Sequence, residues 1–489
     1  MLFQLNPLRM RSFLRFVLLG SVLCCASGLV LAQPLPTEVS AALARAKVPL
    51  DAVALLVTHA LPDAQNTQSP RLAHRIDSPM NPASVMKLVT TSAALDLLGP
   101  AYTWSTPVYL DGTISDGTLR GNVVVVGQGD PKLVLERLWL LLRKLQGLGV
   151  NHITGDIVLD SSAFDLPASD PAGFDGEPLR PYNAAPDALL INYKSVVMTF
   201  SPNVQAQVAR VQFDPPLAGV QMQASVPLLP GDCTDYRAAL KADFTNPAQI
   251  RFNGGYPSSC LEKVWPAAYA DPNSYAQRAV HGMWLSMGGT LAGSVHQGLL
   301  PAHLRKQAPA FEATSATLGE LVRDINKFSN NVMAQQVFLT LGRFFNQPPM
   351  QVGSFVASRA ALQRWWTERI SAKGAPVLDN GSGLSRQERI SAQALGQLLQ
   401  VAYRAPTMPE FMASLPIVGV DGTLRRAKTL HNASAHLKTG SLSNVVAIAG
   451  YVLGQSGQRY VLVALINHPH AYAARPAMEA LVDWAAQDL

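Results

Sequence analysis

Ser84 and Lys87 stand three residues apart, where the polar turn Asn81-Pro82-Ala83 runs into an apolar stretch ending near Leu95. On a helix, residues at that spacing share a face. A serine hydroxyl is a weak nucleophile alone, and a neighbouring lysine amine acts as its base once it sheds its proton. Apolar surroundings favour that loss, because burial penalises the charged ammonium. Taken singly, Ser-x-x-Lys is a weak signal that a bland surface pair also produces. Two further clusters change its weight. Ser329-Asn330-Asn331 lies in a polar turn that opens a second apolar helix pattern, and Lys438-Thr439-Gly440-Ser441 precedes an apolar strand pattern from Val445 to Leu453. Together they supply a second hydroxyl, a side-chain amide and a second lysine beside hydroxyl donors. A cation beside hydroxyl donors is also what binding a carboxylate asks for.

Other chemistries find no support. The chain has no His-Glu-x-x-His, no phosphate-binding Walker loop and no dinucleotide-type glycine fingerprint. It also lacks Gly-x-Ser-x-Gly, the nucleophile elbow of α/β-hydrolases. His431, His436, His468 and His470 cluster near the carboxyl end, but no acid shares a ligand-like spacing with them, so they read as satisfied or solvated side chains. Neither a metal nor a cofactor is expected. Trp365 and Trp366 read as helix packing, Asp421 as a turn residue that holds its loop, and Gly127 to Pro131 as structural.

The chain has 489 residues, 48% of them hydrophobic and 15% charged, against roughly 25% charged in an average soluble domain. That balance excludes a disordered chain. The formal charge is +6, and half of it comes from Arg9, Arg11 and Arg15. A remainder of +3 is no electrostatic footprint for nucleic acid. Those arginines precede an apolar run from Phe16 to Leu31, which reads as a signal peptide over residues 1–32 cut before Gln33. The run is too short for a membrane span, and no later run approaches that length. Cys24 and Cys25 lack the residues that normally precede a lipidated cysteine. The expected location is therefore the periplasm, with no transmembrane span in the mature chain. Export leaves Cys233 and Cys260 as the mature cysteines, which an oxidising compartment allows to pair.

The combination of Ser-x-x-Lys, Ser-x-Asn and Lys-Thr-Gly, in that order, resembles the set of β-lactamases and penicillin-binding proteins. The long separation of Ser84 from Ser329 makes the resemblance narrower. With Gly127-Gln128-Gly129-Asp130-Pro131, Pro181-Tyr182-Asn183-Ala184 and Asp379-Asn380-Gly381-Ser382-Gly383-Leu384-Ser385-Arg386, the chain is similar to low-molecular-mass class C penicillin-binding proteins, the serine D-Ala-D-Ala carboxypeptidase/endopeptidase family. Asn330 stands where the common motif has Asp, and Ser443 stands where some relatives carry a longer amide.

The resemblance implies an acyl-enzyme on Ser84, with Lys87 as base, protonation of the leaving group through Ser329 and Lys438, and Asn331 holding Lys87 and the substrate amide. Lys438, Thr439, Gly440 and Ser441 would bind the terminal carboxylate and line the oxyanion site, with Arg386 a further substrate contact. It also implies an acidic and an aromatic side chain beside the cleft, for which Glu177 and Tyr182 are the candidates. The implied partners are peptidoglycan peptides and β-lactams; a homo-oligomer is left open. Two rivals remain. A β-lactamase would add a carboxylate base or replace Ser329 by tyrosine, and a non-catalytic peptidoglycan-binding protein would have a broken motif.

Positioning these groups calls for an α/β (α+β) fold. Val53 to Val57, the helix from Ser84, and the strand patterns around Ala447 and Tyr460 to Ile466 read as one discontinuous domain, residues 37–104 and 286–489. By resemblance this is the transpeptidase-like (β-lactamase-like) fold, an antiparallel sheet covered by helices. Between them, residues 105–285 carry short strand patterns punctuated by Gly and Pro, and read as an inserted mostly-β domain with a subdomain at about 200–265.

Overall fold

A computed structural model describes residues 34–61, 69–345 and 351–488 of the protein. The signal-peptide reading of residues 1–32 lies outside the described residues. The three motifs gather around a five-stranded antiparallel sheet with the order Ala435–Leu442, Val445–Leu453, Arg459–Asn467, Val53–His59, Leu72–His74. The two central strands are apolar at almost every position because both faces of the sheet are covered. Their alternation divides the load. Ala447, Ala449, Tyr451, Val461, Val463 and Leu465 point into a helical core with Leu88, Val337, Phe338 and Leu398. Val446, Ile448, Val452, Leu462 and Ile466 point the other way, against the amino-terminal helix Thr37–Arg45 and the carboxyl-terminal helix Arg475–Ala486.

Between the first helix of this core and its return lies the insert. It opens with the long hairpin Ser105–Ser115 and Thr118–Val126, the centre of a seven-stranded mixed sheet. A five-stranded sheet between Ser195 and Ala268 and a small three-stranded one pack with it around a shared apolar core. Strand pairing with the insert runs on past residue 285. Thr290–Leu291 and Val295–Gln297 pair with inserted strands, and Phe311–Thr314 pairs antiparallel with Ser105–Val108, closing the insert where it opened. Such short strands carry too little periodicity to be read from sequence.

Cys233 and Cys260 are joined by a disulfide within the insert, with Cα atoms 4.9 Å apart. Trp365 and Trp366 are buried on the helix Phe355–Arg369. Among the described residues no helix is long and apolar enough to cross a membrane, and no group of three or more His, Cys, Asp or Glu side chains is placed to hold a metal.

Candidate active site

Ser84 sits in a short 3-10 turn, Ala83–Met86, that feeds the helix Lys87–Leu98. The turn is clamped from outside. Asn81 accepts the Ala83 N–H at 2.8 Å and donates to the Ser385 carbonyl at 2.9 Å, while Asn467 holds the Asn81 backbone on both sides. Gly440 of the edge strand passes so close that an added Cβ would lie 2.5 Å from the Pro82 carbonyl and 3.0 Å from the Ser84 nitrogen. The glycine of Lys-Thr-Gly is thus a steric requirement of bringing the strand against Ser84.

Lys87 is fully buried, and its Nζ donates to Ser84 Oγ at 2.9 Å, Asn331 Oδ1 at 2.6 Å and the Ser382 carbonyl at 2.5 Å. Burial, joined by the like charge of Lys438 and opposed by Glu388, holds its amine well below the ordinary lysine range. An amine in that state keeps two protons for Asn331 and the Ser382 carbonyl and turns its lone pair to the Ser84 O–H, which then donates across the same 2.9 Å. Ser329 caps the helix Leu318–Phe328 in a left-handed conformation, φ 58°, which turns its hydroxyl toward Lys438. Lys438 donates to Ser329 Oγ at 2.9 Å and to the Thr439 carbonyl at 2.8 Å, and burial pushes its amine down to about 7. Asn331, which opens the next helix, Asn331–Phe345, accepts from Lys87 and donates to the Tyr182 carbonyl of the insert at 3.1 Å.

The third partner of Lys87 exposes a residue the sequence reading missed. Glu388 is fully buried, and one carboxylate oxygen accepts the N–H groups of Asp379, Asn380 and Gly381 at 3.2, 3.2 and 3.0 Å. It thereby fixes the turn whose carbonyls accept from Thr90 (at Gly381, 2.6 Å) and from Lys87 (at Ser382). Burial pushes its carboxyl up to about 7. A lone acid after a glycine-rich turn was the sole sequence signal. Asp421, on another loop, accepts from Lys327 at 2.6 Å and from the Ile417 N–H at 2.8 Å, so it ties its loop to the helix that Ser329 caps.

A cleft of about 480 Å³ opens beside Ser84, lined also by Ser329, Thr439, Gly440, Ser441 and Arg475. Arg386 stands on the Phe174 ring, 4.7 Å from its centre, and donates to the Ser443 carbonyl at 3.2 Å, joining the insert to the turn after the edge strand. Glu177 and Tyr182 are not brought together as a pair. Arg180 takes the Glu177 carboxylate at 3.2 Å, whereas the Tyr182 hydroxyl donates to Asp175 at 2.8 Å. The acid that meets the aromatic ring is Asp175, because Arg180 lies three residues beyond Glu177 and competes for it locally.

The model of the D-Ala-D-Ala carboxypeptidase 3 (S13) family matches residues 35–488, which include every residue of this site. The chain belongs to this family. As an S13 peptidase it is a serine hydrolase of the penicillin-binding type. Among curated relatives, it is 27% identical over 415 residues to a D-alanyl-D-alanine carboxypeptidase of Actinomadura sp. (strain R39), covering 81% of this chain and 75% of that one. It is 25% identical over 398 residues to the D-alanyl-D-alanine carboxypeptidase DacB of Haemophilus influenzae, covering 79% and 80%. The crystal structure of penicillin binding protein 4 (dacB) from Haemophilus influenzae superposes with a TM-score of 0.69 at 22% identity, over 91% of this chain and 99% of the other, which shows a shared fold.

Proposed function

We propose that this S13 peptidase hydrolyses the D-Ala-D-Ala ends and the peptide cross-links of peptidoglycan in the periplasm, through an acyl-enzyme on Ser84 that penicillins also form. The observation that carries the reading is the desolvated Lys87 amine, held 2.9 Å from Ser84 Oγ by two acceptors on other elements. Ser84 attacks the carbonyl of the penultimate D-alanine while Lys87 takes its proton. The C–N bond then breaks, and the leaving amine is protonated through Ser329, which Lys438 contacts. Water releases the acyl group by the reverse proton path. The oxyanion is assigned to the backbone N–H groups of Ser84 and Ser441, which the close approach of Gly440 supports. Lys438, Thr439 and Ser441 hold the terminal carboxylate, and the rim of Arg386, Asp175 and Tyr182 faces the rest of the stem peptide.

The test is direct. Wild type incubated with a fluorescent penicillin should become stably labelled, and it should cleave muropeptides. Ser84→Ala should lose both and keep its thermal transition. Labelling that persists in Ser84→Ala would move the nucleophile elsewhere. Rapid turnover of the penicillin by wild type would instead make the protein a β-lactamase.

A further inference from the structure

The carboxylate end of the substrate needs a cation, and the site's two lysines are ill suited to be its sole source. Lys87 and Lys438 are both fully buried, and burial disfavours the charged form of each. Arg475 stands on the first turn of the carboxyl-terminal helix and lines the cleft beside Ser441. It donates to Ser441 Oγ at 3.2 Å and lies over the Tyr472 ring, 4.0 Å from its centre. Both residues are exposed, so the stack stands at the cleft wall and not within the core. The other charged side chains on this stretch of the wall are Arg426 and Glu479, and Glu479 is engaged by the Lys428 N–H at 3.0 Å.

We propose that Arg475 is a specificity-determining residue that, with Ser441, binds the carboxylate at the carboxyl end of the substrate. The proposal rests on the carboxypeptidase reading above and adds a residue to it. Its physical basis is donor direction. A serine hydroxyl has one proton and two lone pairs. Because Ser441 Oγ accepts from Arg475, its own O–H is free to donate into the cleft. A guanidinium carries five N–H donors and stays protonated at any working pH, so it retains donors for a carboxylate oxygen while keeping its bond to Ser441. Tyr472 fixes the plane of the guanidinium through a cation–π contact.

The experiment compares two acyl-D-Ala-D-Ala peptides, one ending in a free carboxylate and one in a carboxamide, on wild type, Arg475→Gln and Tyr472→Leu. Wild type should prefer the free carboxylate. Arg475→Gln should lose roughly tenfold or more in kcat/KM on that peptide, mainly through KM, and little on the amide. Tyr472→Leu should fall between. The preference should also weaken with added salt in wild type more than in Arg475→Gln. Unchanged preference in Arg475→Gln, with wild type labelled by penicillin, would overturn this inference alone. Equal loss on both peptides would also overturn it, by making Arg475 structural. A wild type that penicillin does not label would overturn the functional reading and this inference with it.

Discussion

The lysine at the centre of the site is held by three acceptors and buried completely, and its proton affinity follows from its neighbours' charges. Burial lowers the affinity most, the like charge of Lys438 lowers it further, and Glu388 raises it. On the proposed mechanism acylation needs the free amine, so the rate of penicillin acylation should climb with pH as Lys87 loses its proton. Removing the like charge should make Lys87 a stronger base. Lys438→Met should therefore acylate slowly, with its acid limb displaced to higher pH, measurable by stopped-flow labelling. A limb in the wild-type position would show that the two lysines do not sense each other. These residues were legible in the sequence because each motif is compact and stands at a turn that presents it. Glu388, Asp175 and Arg475 were not, since their roles come from partners distant in the chain or from local competition for a charge.

The element that holds Lys87 from behind is the turn Asp379–Ser382, and it owes its shape to one buried acid. Glu388 accepts three successive N–H groups, but its second oxygen is buried without a partner. Its carboxyl is pushed from the ordinary 4.5 to about 7 on folding. The folded state thus binds this proton more tightly than the unfolded one, and its contribution to stability is lost as pH rises from 4.5 through about 7. Glu388→Gln should flatten that decline in a pH series of melting temperatures, since glutamine keeps an acceptor for the N–H groups and does not ionise. It should also shift the acid limb of acylation to lower pH, opposite to Lys438→Met, because Lys87 loses the charge that favours its ammonium. Glu388→Ala should cost at least about 1–3 kcal/mol from buried donors left unpaired. If both variants left the acylation profile unmoved, the turn would be scaffolding without influence on Lys87. At this scale the sequence displayed the helices that open at Ser84 and Asn331 and the two central strands, whose apolar runs are long. It concealed the end of the insert, since the strands that close it run for only two to four residues.

The described residues from Leu35 onward form one compact unit, although the sheet core and the insert bury separate apolar clusters. The two meet at the Asn331 contact to the Tyr182 carbonyl and at the Arg386 stack on Phe174. If only these two contacts couple the insert to the site, the stability of its far part can vary without touching the chemistry. The disulfide tests that division. Cys233 and Cys260 are 27 residues apart, and neither lines the cleft beside Ser84. In the chain-entropy model, closing a loop of that size contributes on the order of 3 kcal/mol by restricting the unfolded state. Cys260 is also 2% exposed and packs in the insert's core, so replacing it by serine adds a buried hydroxyl to the loss. Cys233→Ser/Cys260→Ser should lower the free energy of unfolding by about 3 kcal/mol or more in denaturant titration, whereas the rate of penicillin acylation at Ser84 stays near wild type. A fall in acylation that tracks the loss of stability would mean that order in the insert reaches Asn331 and Lys87, and that the two apolar clusters work as a single cooperative body.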